Sequence, residues 1–410
     1  MLKNYLKLAF KVLLRRKAFT FISLFGISVT LVVLVVASAM LDHIFSAVPP
    51  ETRAERSLAV LAMKMRGEDR SRTSQPGYGF LNRHVRTLPN VEMVSIFSSP
   101  AMVSSYMGGR RIESYLKHTD GQFWRILDFH FLEGGPLTIQ DEEQGNHVAV
   151  INESTRQRFF QGQSAIAKTI DVDGQSFRVV GVVADVPLVR ILPFADIWVP
   201  ISTSKSSSYQ HEVMGGFMAL ILAHSASDLE GIKAEFAARL PQVELPKGFT
   251  ELLGGPETMF DSVSRQLFGG SRFESQAGRL RLTLVVMMVL FLLLPTVNLV
   301  NLNLSRILER SSEIGVRKAF GASSWVLCGQ FVVENLVLTL CGGLVAWVLA
   351  HLVLGAVNSS GLIPYAQFEL NFRVFLYALA IAAFFSLMSG AYPAWRMSRL
   401  HPVGALRGRS

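Results

Sequence analysis

The chain has 410 residues, half of them hydrophobic and 17% charged, with a formal net charge of +9 and a positive mean hydropathy. So apolar a balance excludes an ordinary soluble protein. The net charge invites a nucleic-acid reading, but its distribution argues against one: residues 42–279 hold 24 Lys/Arg against 27 Asp/Glu, and the rest of the chain holds 16 against 4.

The basic excess lies beside four apolar blocks, residues 19–41, 282–304, 325–357 and 375–394. Each reaches the ~20 residues that a spanning helix needs. Lys3, Lys7, Lys11, Arg15, Arg16 and Lys17 precede the first block. Arg306, Arg310, Arg317 and Lys318 lie between the second and third, and Arg396, Arg399, Arg407 and Arg409 follow the fourth. The positive-inside bias therefore puts both termini and the middle loop in the cytoplasm and residues 42–279 outside. The first block has a rival reading as a signal peptide, with Ala37-Ser38-Ala39 as a cleavage site. Its uncharged run exceeds the ~7–15 apolar residues of such a peptide, so an anchor is expected. Cys328 and Cys341 fall thirteen residues apart in the third block. At ~100° per residue they face different sides of a helix, which argues against a disulfide between them.

The external segment is long enough for one large domain or two small ones. Residues 79–87 read as a helix stopped by Pro89, and 91–97 as a strand. Residues 218–223 read as a strand leading into Ser227-Asp228-Leu229-Glu230, a capping box that opens a helix ending before Pro241. These strand-and-helix units, residues 57–110 and 213–255, suggest one α+β unit built from both ends. Between them, residues 111–212 are richer in strands. Residues 148–151 precede a short helix through Phe160, 169–172 and 176–183 alternate around the hairpin signal Asp173-Gly174, and 196–201 form a further strand.

Two stretches imitate chemistry. GQSAIAKT, residues 162–169, has the spacing of a phosphate-binding loop, but Ala167 stands where the second glycine must let backbone amides reach a phosphate. His118, Asp120, His130 and His147 are scattered, without the clustered or i, i+4 spacing of a metal site. No nucleophile elbow is present. No catalytic and no metal-ligating residue is expected.

The middle loop carries more information. Residues 305–320 should be helical, with Glu313 and Arg317 paired four apart, Arg306 and Arg310 as a basic edge, Ile307, Ile314 and Phe320 as apolar contacts and Gly321 as the stop. Read alone, this pattern suits an amphipathic helix lying on lipid. Deeper in the third block, Glu334 lies ~15 Å past Ser324. A carboxylate there must face protein or water. Gln330, one turn away, and Asn298, Asn301 and Asn303 on the second block are candidate partners, in a helix lock or in a proton relay. Gly342, Ala346 and Ala350, and Ala378, Ala382, Ser386, Gly390 and Ala394, recur every four residues as small-residue ridges suited to helix packing in lipid.

EIGVRKAFGA, residues 313–322, closely resembles the ATPase-docking element of the MacB/FtsX-like ABC transporter permeases, the type VII superfamily. LKNYLKLAFKVLLRRKAFTFISLFGIS from Leu2, GQFWRILDFHFLEGG from Gly121, HVAVINES, FRVVGVVADV, IWVPIS, and YPAWRMSRLHPVGALR from Tyr392 resemble the same family along nearly the whole chain. The resemblance implies a membrane protein of four transmembrane helices in a 1+3 arrangement with a large α+β extracytoplasmic domain. In order these are a cytoplasmic start (1–17), helix 1 (18–41), a domain (42–279) with a porter-like part, an inserted subdomain (111–212) and a stalk (256–279), helix 2 (280–304), a coupling helix (305–324), helix 3 (325–357), an external loop (358–371), helix 4 (372–395) and a tail (396–410). It implies that Arg310, Glu313, Arg317, Lys318, Phe320 and Gly321 meet a separate cytoplasmic ABC ATPase that holds ATP and Mg, no cofactor being bound by this chain. A second permease protomer, membrane lipid and, for some members, a periplasmic adaptor and an outer-membrane factor are the other implied partners. The function implied is export of a drug or peptide by transmitted motion. Alternatives within the family are lipoprotein release and an FtsX-like switch acting on a cell-wall hydrolase.

Overall fold

The computed structural model describes residues 2–15, 17–107, 110–269, 273–309, 316, 324–365 and 367–398. The chain divides into a helical unit of residues 1–43, 282–362 and 368–410, and a mixed unit of residues 44–281 with 363–367. The elements run α1 (Leu2–Arg15), α2 (Lys17–Phe45), β1 (Ser57–Val60), β2 (Met63–Arg66), β3 (Ser71–Pro76), α3 (Tyr78–His84), β4 (Val91–Ser98), β5 (Ala101–Met107), β6 (Arg110–Thr119) and α4 (Phe123–Ile126). They continue with β7 (Phe131–Gly134), α5 (Ile139–Glu143), β8 (Val148–Asn152), α6 (Glu153–Phe160), β9 (Thr169–Val172), β10 (Gln175–Val183), β11 (Ile197–Pro200), β12 (Met214–Gly215) and β13 (Phe217–Ala223). The last are α7 (Leu229–Arg239), β14 (Glu251–Gly254), α8 (Met259–Phe268), α9 (Ala277–Glu309), α10 (Ser324–Ser360) and α11 (Phe372–Ser398).

In the helical unit, long apolar runs become helices because a helix satisfies its own backbone where no water can. Among the described residues, α2 and residues 332–360 of α10 are long and apolar enough to cross a membrane, and residues 372–388 of α11 form a shorter apolar helix. α9 is 33 residues long. Phe21, Phe25 and Val29 on α2, and Leu344, Val348 and Leu352 on α10, stay exposed in rows four residues apart. Such contiguous apolar rows require an apolar surrounding. α1 is amphipathic: Ala9 and Leu13 are buried in a cluster with Leu31, Val337 and Leu338, while Lys7, Lys11 and Arg15 are exposed.

The mixed unit is built on one ten-stranded sheet in the order β1-β13-β4-β6-β11-β8-β10-β7, with β5 beside β6 and β9 beside β10. A second sheet runs β12-β3-β2-β14. Strand side chains alternate between faces, and here both faces are covered. On β13, Met218, Leu220 and Leu222 enter one core, and Phe217, Ala219, Ile221 and Ala223 another. On β8, Val148 and Val150 join the first core and Ala149 and Ile151 a third. The first core thus runs along one face of the whole sheet, under strands from both sides of the expected insertion, with Trp198 at its centre. Each fully buried Leu or Ile contributes about 1.5–3 kcal/mol. Residues 111–212 therefore extend the sheet of the flanking segments and share its core.

Asp173 and Gly174, at φ 51° and 74°, make the expected tight turn between β9 and β10. The helix cap falls two residues earlier than the sequence suggests: Ser225 and Asp228 form the reciprocal box, Ser225 N and Oγ donating to Asp228 Oδ2 at 2.9 and 2.7 Å. Asp228 sits three residues past Ser225, and its short carboxylate reaches back where Glu230 was expected to act from Ser227. The stalk segment is interrupted. α8 ends at Gly269, whose φ of 68° suits a residue without a Cβ, and residues 273–276 are not helical.

Candidate functional site

Arg310, Glu313, Arg317, Lys318, Phe320 and Gly321 lie outside the described residues. Asn298 and Asn301 are on α9 and Gly390 is on α11, with their side-chain surroundings outside the description. The buried polar site of the helical unit is therefore built from α2, α10 and α11.

Glu334 is 1% exposed, and Gln330, one turn earlier on α10, donates from Nε2 to Glu334 Oε1 at 2.9 Å. The spacing of four puts both side chains on one helix face. The helical unit also buries polar side chains that sequence reasoning passed over: Asn335, Thr339, Ser23 and Ser28. Thr339 Oγ1 and Ser386 Oγ both donate to the carbonyl of Asn335, at 2.9 and 3.4 Å, and Ser28 Oγ donates to the carbonyl of Gly342 at 3.0 Å. These bonds join α10 to α11 through Ser386 and to α2 through Ser28. Asn335 was legible as a second polar residue beside Glu334. The serines were not, since an isolated Ser inside an apolar helix carries no pattern.

The small residues act where the helices come together. A Cβ on Gly342 would meet Ile27 Cγ2 at 2.7 Å, and one on Gly343 would meet Leu379 Cδ1 at 2.6 Å. The two glycines thus let α10 approach α2 on one side and α11 on the other. Ala346 and Ala350 are fully buried, Ser386 is buried and Ala382 is partly buried against the same cluster.

In the mixed unit the imitation motifs resolve into architecture. Ala167, at φ 63°, has its amide bonded to the carbonyl of Val179, and Val179 N donates to Lys168 O. The loop is a turn into β9, and these amides are already used. Asp120 sits at the seam where β4 and β6 share a single register pair, Phe97 with Thr119. Its carboxylate, 1% exposed, accepts from Ile96 N at 2.8 Å, Ser95 Oγ at 2.7 Å, Phe123 N at 3.0 Å and Arg86 Nη2 at 2.6 Å. One side chain thereby replaces missing ladder bonds between the two halves of the sheet. Burial pushes its pKa up against those donors. Burial likewise lowers His118 to about 4, Asp173 opposing. Among the described residues no group of three or more His, Cys, Asp or Glu is arranged to hold a metal. A cavity of about 460 Å³ in this unit is lined by Phe45, Glu51, Leu58, Ile126, Leu192 and Phe260, among others.

The chain is similar to known export proteins and to an ABC transporter permease. It is 26% identical over 302 residues to the macrolide export ATP-binding/permease protein MacB of Pasteurella multocida, covering 72% of this chain and 43% of that protein. The pyoverdine export ATP-binding/permease protein PvdT of Pseudomonas aeruginosa is 27% identical over 322 residues, covering 78% and 46%. An uncharacterized ABC transporter permease of Bacillus subtilis, YknZ, is 24% identical over 329 residues, covering 79% and 77%. The chain thus spans about half the length of the export proteins it matches. With residues 20–239 matching the model of the MacB-like periplasmic core domain and residues 285–402 that of the FtsX-like permease C-terminal domain, the chain belongs to the MacB/FtsX-like family of ABC transporter permeases.

Proposed function

We propose that this chain is the membrane subunit of a MacB-like exporter, crossing the inner membrane four times with both termini in the cytoplasm. A cytoplasmic ABC ATPase, holding ATP and Mg, docks on residues 305–324, and two permease protomers work together. Closure of the ATPases moves the coupling segment, and the helices pass that movement to the external domain, which acts on a periplasmic substrate such as a drug or peptide. A periplasmic adaptor and an outer-membrane factor complete the route in a two-membrane cell.

The observation that carries this reading is the order of the two matched regions: a first apolar helix, a large domain, then the FtsX-like segment. The basic residues flanking the apolar blocks support the orientation. The names of MacB and PvdT favour export over a purely regulatory role. The test is purification from the native membrane in mild detergent. Wild-type chain should bring down an ABC ATPase at about one per permease, and Phe320→Asp or Glu313→Lys should lose it while still inserting into the membrane. Full copurification with both variants would remove the docking assignment.

A further inference from the structure

Residues 363–367, which connect α10 to α11, belong to the mixed unit and not to the helices they join. They are held there by the loop between β10 and β11. Leu188 N donates to the carbonyl of Pro364 at 3.2 Å. Tyr365 Oη donates to Asp196 Oδ1 at 2.7 Å, and its ring lies 6.5 Å from that of Phe194. Asp196 is buried and cannot move freely. Its carboxylate also accepts from Tyr115 N at 2.8 Å, Asn152 Nδ2 at 3.0 Å and Arg158 Nη2 at 3.0 Å. Tyr365 has a φ of 59°, a disfavoured backbone for an aromatic residue that persists only when surrounding contacts enforce it. Burial, then Asp196 itself, raises the phenol to about 12, so the hydroxyl remains a donor at any physiological pH.

The same loop is anchored at two further points. Lys117, fully buried beneath it, donates from Nζ to the carbonyls of Ile191 and Leu192 at 3.0 and 2.6 Å. Arg190, also buried, pairs with Glu51 at 2.8 Å and donates to the carbonyl of Ser46 at 3.3 Å, on the segment that follows α2. One loop therefore grips both the chain that leaves α2 and the chain that joins α10 to α11. Buried charges partnered this thoroughly are costly to separate, so the loop is suited to transmit displacement without yielding.

We propose that Tyr365 and the loop of residues 187–196 form a mechanical tie, through which movement of the α10–α11 pair reaches the external domain as a second route beside α2 and α9. This rests on the permease reading above, and it assigns to Tyr365 the role of a positioning residue in that transmission.

The experiment uses the full-length permease with its copurified ATPase in nanodiscs, followed by hydrogen exchange with and without ATP and vanadate. Tyr365→Phe keeps the ring against Phe194 and removes only the hydroxyl. Loss of a hydrogen bond to a charged group should speed exchange of the Leu188 amide about tenfold or more. It should also abolish the ATP-dependent change in exchange across residues 187–196, with ATPase recruitment unchanged and the thermal midpoint lowered by no more than a few degrees. Asp196→Asn, combined with Tyr365→Phe, should add nothing further to the loss of the ATP response. A Tyr365→Phe complex with wild-type protection at Leu188 and a wild-type ATP response overturns the tie alone. A wild-type chain that recruits no ATPase defeats the permease reading, and the transmission with it.

Discussion

In the mixed unit the buried carboxylates of Asp120 and Asp196 each collect four donors from separate segments, whereas in the helical unit the buried hydroxyls of Ser28 and Ser386 donate to backbone carbonyls of a neighbouring helix. The contrast follows from what each backbone needs. A sheet assembled from distant segments has seams, such as the single pair between β4 and β6, and buried carboxylates close them. A helix closes its own ladder. Its buried polar side chains are left to join one helix to another, and the contact itself is made by small residues. Stability in the mixed unit should therefore answer to core volume and buried charge, and in the helical unit to backbone approach.

The largest effect expected from this contrast is at Trp198, the fully buried centre of the core under both halves of the sheet. Its ring packs on Trp124 and Phe129, and its Nε1 donates to the carbonyl of Pro193 at 3.1 Å. Trp198→Ala should cost about 3–5 kcal/mol. Because one core serves both halves, urea unfolding followed by circular dichroism should show a single transition moved to lower denaturant. Two separated transitions would mean that the halves are independent after all.

Acid should reach the mixed unit through His118. Its pKa is lowered from 6.5 to about 4 in the fold, so the unfolded chain binds the extra proton first. Stability is then lost as pH falls from 6.5 towards 4, by about 3 kcal/mol in the limit. Asp120 and Glu51, raised by burial, act in the opposite direction over the acid range, so the wild-type profile alone is ambiguous. The difference between wild type and His118→Gln isolates the histidine. It should be constant above pH 7 and close progressively below 6.5, and a difference independent of pH would remove His118 from the account.

Much of this was legible in the chain, and unevenly. The apolar blocks of α2 and α10 and the turn at Asp173-Gly174 announce themselves because spanning length and a left-handed turn are local properties. The hairpin of β2 and β3 was missed, since Met63–Arg66 and Ser71–Pro76 mix charged and polar residues with few β-branched ones. Continuity of the main sheet was missed for another reason. Nothing near residues 111–212 states that β6 will lie beside both β4 and β11, a pairing decided by contacts far apart in sequence. Asp120 was weighed as a metal ligand and rejected, while its role at the seam depends on Ile96, Ser95 and Arg86, which no local spacing connects to it.

For the helical unit the sharper test is at the two adjacent glycines. Gly342→Ala places a methyl 2.7 Å from Ile27 Cγ2 and 3.1 Å from its Cβ, atoms of a β-branched side chain with little freedom to turn aside. Gly343→Ala meets the tip of Leu379, which can rotate. The first should cost about 1–3 kcal/mol and the second less. Ile27→Ala should recover part of the loss in Gly342→Ala, as measured by unfolding in mixed detergent micelles. Equal costs at the two positions would show that helix approach is looser than the contacts indicate.

The smallest effect is expected at Glu334, where the readings of helix lock and proton relay separate. Gln330 bonds to Glu334 Oε1 within one turn of the same helix, a bond that a glutamine at 334 can still accept. Intramembrane hydrogen bonds average about 0.6 kcal/mol, because alternative partners are found in the less-folded state as well. Glu334→Gln should therefore cost no more than that in detergent unfolding and, under the proposed exporter function, leave transport and its pH dependence as in wild type. A relay requires a group that gains and loses a proton, which glutamine cannot do. Unchanged stability with the proposed transport lost, and its pH dependence altered, would exclude a mere helix lock and favour the proton relay.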